Sequence, residues 1–413
     1  AFGASLPKGS TVLVSRSPHK MARVIKRSMV AGLMSLGVKV IDLHSAPLPI
    51  ARHMVRRGKA AAGIHTRTSP YMTEMVLSEF FDKNGINLNT DAERKVESIF
   101  IREDYRRTDM NDVGVLEYDS RFQDIYFDDF YKFIDSGVIQ DRKFKIVIDY
   151  SHGSLSQMLP PVLSRLGCDA VSVNAYMDPA INPRPSALDP AGLAQLSKIV
   201  KSLHSDIGIL VDGEAEKLSL IDNKGRAIFG PRLLALMIRL IAMQHKKPII
   251  ATQVNYPHLI ADTIKKVGGK MVVTQANSRA LMTDTFKHDS VAFAGDIKGG
   301  FIFPHFQPAF DGLISLSKIL EFVARYDISI ADINDSIPDV FMHADTLACT
   351  WESKGKLMRV LVEKFKSKKV NLSDGVRIEL NNTSWVMIRP DPTEAIVHVL
   401  AEGKSAKEAK EIV

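Results

Sequence analysis

The chain has 413 residues, 45% hydrophobic and 24% charged, with a net charge of +7. This is the composition of a soluble globular protein, too long for one ordinary core and expected to fold as three or four domains. It excludes a membrane span, because the longest helical apolar stretch, "LLALMIRLIAM", is too short and carries Arg239, and with only Cys168 and Cys349 it excludes a cysteine-built zinc site and fits a reducing cytoplasm.

In chain order, "AFGASLPKGS" has neither the regions of a signal peptide nor an initiator Met, so a segment of a longer polypeptide is expected. "TVLVSR" is a β-branched strand ending on Arg16. A helix from Ser17 to Leu36 follows, then Gly37 as a stop, the strand "VKVIDLH", a turn at "SAPLP" and a helix through "IARHMVRRG". Residues 1–62 hold eleven Lys and Arg against Asp42 alone, a net +10 that leaves −3 for the remainder. Charge so concentrated suits a phosphorylated ligand or an acidic partner, or simply a solvated helix surface. Few aromatics accompany it and no nucleic-acid motif occurs, so nucleic acid is not expected.

Next come "AAAGIHT" and "EFFDKNGINL", the latter a hairpin around Asn84-Gly85. "FKIVIDY", "LSQMLPPVLSRLG" and "CDAVSVNA" repeat strand, helix and strand, and "KPIIATQV", "LIADTIKKVG" and "KMVVTQ" do so again. Such units imply mixed, mostly parallel sheets covered by helices. From about residue 341, "VRIELNNTSWVMIRP" and "AIVHVLAE" suggest an antiparallel sheet with a final helix. The fold class is therefore α/β: three α/β domains, 1–138, 139–245 and 246–339, and a C-terminal α+β domain, 340–413.

One stretch carries chemistry. In "GILVDGEAEKLSLIDNKGR" (208–226), Asp212, Glu214 and Glu216 alternate before Lys217. Two readings are open: a solvent-facing hairpin turn, or a loop whose carboxylates converge on one hard cation, with Gly213 allowing a tight fold.

"SDIGILVDGEAEK" resembles the metal loop of the α-D-phosphohexomutases (phosphomannomutase and phosphoglucomutase), written "ADLGIAFDGDADR" in typical form. The likeness extends over essentially the whole length, through "VIDYSHGS", "NPRP" at 182–185, "AGDIKGGFIFPHFQPAFDGL" and "SWVMIRPDPTEA". It is narrowest with the mutase-like half of sugar-nucleotidyltransferase/phosphomannomutase fusions, which implies a covalently linked nucleotidyltransferase domain. The resemblance implies a cytoplasmic four-domain phosphohexomutase that interconverts mannose or glucose 6- and 1-phosphates through a phosphoserine. It also implies Asp212, Glu214 and Glu216 as ligands of Mg2+, and Lys217 in the place of an Arg.

The departures from the family pattern bear on each role. In "GIHTRTSPYMTEMVLSEFFDKNGINL" (63–88), aligning Pro70 with the family's proline puts Arg67 at the nucleophile's position. Anchoring on Gly63, Phe81, Asp82 and Gly85 needs no gap and puts Ser69 there, with Pro70, Tyr71 and Met72 replacing the usual His, Asn and Pro. Arg67 would then steady a phosphoryl group by charge. Two metal-loop positions are Glu where the family uses Asp, reaching roughly 1.5 Å further, so the site weakens or prefers a larger ion such as Mn2+. The sugar loop becomes Asp296-Ile297-Lys298-Gly299-Gly300, leaving Asp296 and Lys298 as sugar contacts. The closing loop keeps Arg389 and Thr393 as a phosphate clamp but places Asp391 and Pro392 between them. Arg16, in the basic block, is a further candidate substrate contact. The second reading is a catalytically silent sugar-phosphate-binding or regulatory domain.

Overall fold

The computed structural model describes residues 1–413 apart from 59, 71–73, 107 and 185. Four sheets follow one another along the chain. The first contains β1 (Thr11–Arg16), β2 (Lys39–Ser45), β3 (Ala62–Thr68), β4 (Val76–Asp82) and β5 (Leu116–Tyr118), in the order β4-β3-β1-β2-β5. All its pairs are parallel except β3–β4.

The second contains β6 (Lys145–Asp149), β7 (Asp169–Val173), β8 (Ile207–Val211), β9 (Leu218–Asp222) and β10 (Ala227–Ile228), in the order β10-β9-β8-β6-β7. Every residue of β8 is buried, as a strand covered on both faces requires. The third contains β11 (Ile249–Gln253), β12 (Lys270–Thr274), β13 (Val291–Gly295) and β14 (Phe301–Ile302), in the order β12-β11-β13-β14. The last is wholly antiparallel: β15 (Phe341–Ala348), β16 (Lys369–Asn371), β17 (Val376–Glu379), β18 (Trp385–Pro390) and β19 (Ile396–Gly403), in the order β15-β19-β18-β17-β16.

Three α/β units with mixed sheets and a C-terminal antiparallel sheet are the expected fold class. Of the proposed divisions, 138/139 runs through the helix Ser136–Arg142, 245/246 follows the helix Gly230–Gln244, and 339/340 precedes β15. One continuous apolar core joins the first three units, from Leu43 and Phe130 through Tyr150 and Leu236 to Phe293 and Phe322. The fourth has its own core and docks on the third: Trp385 and Met387 pack with Val254, and Arg377 donates to the carbonyls of Val254 and Tyr256.

Local chemistry moves two expected helix boundaries. The helix expected from Ser17 to Leu36 runs Lys20–Met34 because Pro18 precedes it and the His19 side chain caps it, accepting from the Met21 N–H. The helix expected through "LSQMLPPVLSRLG" divides into a 3-10 turn, Ser154–Gln157, and a helix, Leu159–Arg165, whose first turn holds the prolines, where their missing N–H groups lose nothing. The sequence reading missed the helix Trp351–Lys364, whose Met358, Leu361 and Val362 cover the last sheet. The apolar run 233–243 lies in the buried helix Gly230–Gln244, and among the described residues no helix is long and apolar enough to cross a membrane.

Candidate active site at the acidic hairpin

The opening choice between hairpin and ligand loop resolves into a hairpin, but not a solvated one. β8 and β9 pair antiparallel up to Val211 and Leu218, and the Asp212 N–H donates to the Lys217 carbonyl. Asp212, Glu214 and Glu216 are each only 5% exposed. Asp212 organises the turn, its Oδ1 accepting the N–H groups of Glu216 (2.8 Å) and Lys217 (3.2 Å). The left-handed residue is Ala215 (φ 61°) rather than Gly213. Glycine is required at 213 by crowding, since a Cβ there would stand 2.3 Å from Cβ of Pro183.

Three units meet at this turn. The Glu214 carbonyl accepts from Leu48 N–H, and the Ala215 carbonyl from Gly312 N–H. Lys217 donates to Asp296 Oδ2 across 2.9 Å. The two strands arrive by their C-terminal ends, Asp212 following β8 and Asp296 following β13, the edge at which open α/β sheets bind ligands.

From the first sheet, β3 presents one face. Its His65 ring joins Ser15 Oγ through Nδ1 and Glu214 Oε2 through Nε2, both at 2.8 Å. A carboxylate only accepts, so Nε2 carries a proton. Two residues on, Arg67 lies between carboxylates, with NH2 2.5 Å from Glu79 Oε1 and NH1 3.7 Å from Glu216 Oε2. Arg52, from the helix Leu48–Arg57, backs this pair: its NH2 is 2.9 Å from Glu79 Oε2, its Nε 3.9 Å from Glu216 Oε1, and its NH1 donates to the Gly85 carbonyl. Gly85 (φ +76°) closes the expected Asn84-Gly85 turn, where a Cβ would come 2.8 Å from the Arg52 carbonyl.

The strand period of two carries this row on to Ser69, one residue beyond β3. The Ser69 N–H donates to the Met75 carbonyl at 2.7 Å, so the residue opens the β3–β4 connection. Arg67 lies inside the ladder opposite Leu77. Of the altered positions that follow Ser69, Tyr71 and Met72 lie outside the described residues, as does Pro185 of "NPRP".

Burial and crowding of like charge dominate the electrostatics. Burial, and then Glu216, push the Asp212 carboxyl up to about 7 against the opposing charge of Arg67. Burial and the neighbouring Glu79 raise Glu216 as well. Glu79 is held below its ordinary value because Arg67 and Arg52 outweigh its burial. Lys217 is raised, Asp296 overcoming the cost of burial. Four carboxylates, those of Glu79, Glu216, Glu214 and Asp212 in that order, favour the charged form of Arg67.

The Mg2+ expected here does not fit this donor set. Magnesium needs several oxygens at about 2.0–2.1 Å in near-octahedral array. Instead Asp212 bonds its own turn, Glu214 bonds His65, and Glu216 faces two guanidinium groups. Among the described residues no group of three His, Cys, Asp or Glu side chains is gathered to hold a metal ion.

The remaining candidates spread outward. Asp296 is buried, its Oδ1 accepting the N–H groups of Lys298 (2.8 Å) and Gly300 (2.9 Å). Lys298 is exposed as a residue, and its ammonium is lowered by desolvation and then by Lys217. The charge of Arg389, from the fourth unit, lowers it further. Arg389 NH1 donates to the Ala276 carbonyl (3.3 Å) and lies 3.7 Å from Asp374. Thr393 donates through both N–H and hydroxyl to Asp391 Oδ1, which also accepts from Glu394 N–H, while Asp391 Oδ2 bonds His398. These bonds, that of His398 first, hold the Asp391 carboxyl far below its usual range. Arg16 is not brought to the hairpin. Ser15 faces His65, so the next residue faces the other way, into a basic cavity of about 780 Å³ shared with Arg23, Lys26 and Arg27.

The sequence reading missed Arg52, His65 and Glu79. The available signal was charge within apolar strand and helix runs: His65 and Arg67 in β3, and Glu79, the register partner of His65, in β4. It also missed the brace behind the hairpin, where Ser151 Oγ donates to the Val211 carbonyl and Arg184 bridges Asp149 and Asp189.

Comparison with known proteins agrees with this layout. Residues 1–107, 124–225 and 230–341 match the models of phosphoglucomutase/phosphomannomutase alpha/beta/alpha domains I, II and III. A phosphoglucomutase/phosphomannomutase of Thermococcus kodakarensis is 30% identical over 423 residues, covering 100% of this chain and 91% of its own. A phosphoglucosamine mutase of Methanocaldococcus jannaschii is 29% identical, covering 98% and 90%. Among solved structures, a phosphoglucomutase/phosphomannomutase family protein of Burkholderia thailandensis superposes with TM-score 0.85 at 20% identity, covering 100% of this chain and 89% of its own. The N-acetylphosphoglucosamine mutase of Aspergillus fumigatus, solved with GlcNAc-6P and magnesium, has TM-score 0.61 at 14% identity, covering 98% and 76%.

Proposed function

The chain belongs to the phosphoglucomutase/phosphomannomutase family, and from that premise we propose that it interconverts hexose 6- and 1-phosphates by phosphoryl transfer through Ser69. The observation that carries the reading is the row His65–Arg67–Ser69, whose first two members contact the acidic hairpin. Ser69 would bear the phosphoryl group and pass it to a sugar hydroxyl, with Arg67 and Lys217 supplying positive charge as the P–O bonds exchange. Asp296 and Lys298 would contact the sugar, and Arg389 and Thr393 the phosphate that does not react. Asp212, Glu214 and Glu216 serve here by positioning Lys217, His65 and Arg67. Arg16, on the far face of β1, has no part in this site.

The substrate would be a glucose, mannose or glucosamine phosphate, the sugars named for relatives that this chain matches along nearly its full length. A coupled assay that follows conversion of glucose, mannose and glucosamine 1-phosphates to the 6-phosphates tests the reading. Turnover of one of them, lost in Ser69→Ala, is the expected result.

A second reading has one observation in its favour. Asp391 occupies the donors of the closing loop that a phosphate would use. A catalytically silent sugar-phosphate-binding domain, linked in the cytoplasm to a sugar nucleotidyltransferase, would show calorimetric binding of a hexose phosphate with no conversion.

A further inference from the structure

We propose that the Arg67 guanidinium is a built-in substitute for a divalent cation, so that the acidic hairpin is neutralised from within and binds no metal. Four observations carry this. Arg67 is held from two sides, by Glu79 at 2.5 Å within its own sheet and by Glu216 at 3.7 Å from the hairpin. It is therefore not a surface side chain that drifted inward; its side chain is 11% exposed, and the β3–β4 ladder fixes its backbone. A second cation, Arg52, faces both carboxylates from behind, at 2.9 Å and 3.9 Å.

The other hairpin acids are engaged as well. Glu214 takes the His65 Nε2–H, and Asp212 takes two N–H groups of its own turn. Lengths match too. At 216 a side chain one bond shorter, by about 1.5 Å, would withdraw its carboxylate from the guanidinium. An incoming divalent ion would have to expel a cation locked in place or sit beside it, and like charges in a buried site repel strongly. The inference concerns ion occupancy alone, so it stands or falls separately from phosphoryl transfer through Ser69.

Titration of the EDTA-stripped full chain with Mn2+, followed by electron paramagnetic resonance at pH 8, tests it. The wild-type protein is expected to bind no stoichiometric Mn2+ at millimolar concentration, and Mg2+ is expected to leave its melting temperature unchanged. Arg67→Ala leaves Glu79, Glu216, Glu214 and Asp212 with less compensation and is expected to gain one Mn2+ site, at least about tenfold tighter than any in the wild type. Arg67→Lys, which keeps the charge, is expected to gain none. One tight Mn2+ site in the wild type, removed by Glu214→Gln, would overturn the proposal. So would a folded Arg67→Ala protein that still ignores Mn2+. If Arg67→Ala does not fold, the wild-type titration and melting curves decide the question alone.

Discussion

Arg67 in the first sheet reaches Glu216 in the hairpin of the second, NH1 to Oε2 at 3.7 Å, and so ties two units through one buried charge pair. Removing one partner of such a pair leaves the other charged and desolvated. Arg67→Met should therefore destabilise the protein by about 3–5 kcal/mol in urea denaturation. A loss below about 1 kcal/mol, the range of exposed pairs, would mean that the pair is solvated.

Asp212 gives stability a pH dependence of definite sign. Its carboxyl is pushed up to about 7 in the fold, against an ordinary value of 3.8. The folded state thus holds this proton more tightly than the unfolded chain, so the contribution to stability falls as pH rises through that window. Asp212→Asn, whose carbonyl can still accept the two N–H groups, should raise the melting temperature at pH 8. The gain should shrink as pH falls through about 7 towards about 4. Equal gains at pH 8 and at pH 4 would show that Asp212 is not the group responsible.

In the closing loop Arg389 and Asp391 should act in opposite directions. Arg389→Ala should weaken binding of a hexose phosphate by about 1.5–3 kcal/mol, the worth of a hydrogen bond to a charged group. Asp391→Ser removes a like charge and releases the N–H groups of Thr393 and Glu394, and should tighten binding by about 1 kcal/mol. Isothermal titration calorimetry on both variants checks the pair. Unchanged affinity in Arg389→Ala would remove the clamp from the account.

Strand–helix alternation was legible because a strand covered on both faces, such as Ile207–Val211, must be apolar throughout, and Asn84-Gly85 named its own turn. The hairpin was legible as a pattern of alternate acids, but its surroundings were not. Nothing within residues 208–226 indicates that Arg67 and Arg52, from distant strand and helix, converge on Glu216. Such long-range pairing depends on strand register, and the pair His65 and Glu79 is defined only once β3 and β4 are aligned. Arg16 looked suitable by charge alone, whereas its face is set by alternation from Ser15. Gly213 was noticed for its flexibility, but the requirement is space.

That requirement can be measured. Gly213→Ala would place a methyl group 2.3 Å from Cβ of Pro183, a contact relieved only by backbone movement. The substitution should cost about 1–3 kcal/mol by overpacking. Ala215→Gly, at the left-handed position of the same turn, should be neutral or stabilising because it relieves a φ of 61°. Chemical denaturation of the two variants side by side compares them, and equal effects would contradict the assignment of crowding to 213 and backbone strain to 215.

The central claim, phosphoryl transfer through Ser69, is tested most directly by incubating the intact protein with glucose 1,6-bisphosphate and mapping the products by peptide mass spectrometry. The account predicts one phosphoryl group, on Ser69, formed equally well in EDTA and absent from Ser69→Ala. A protein that binds the bisphosphate and stays unlabelled at Ser69 would contradict it.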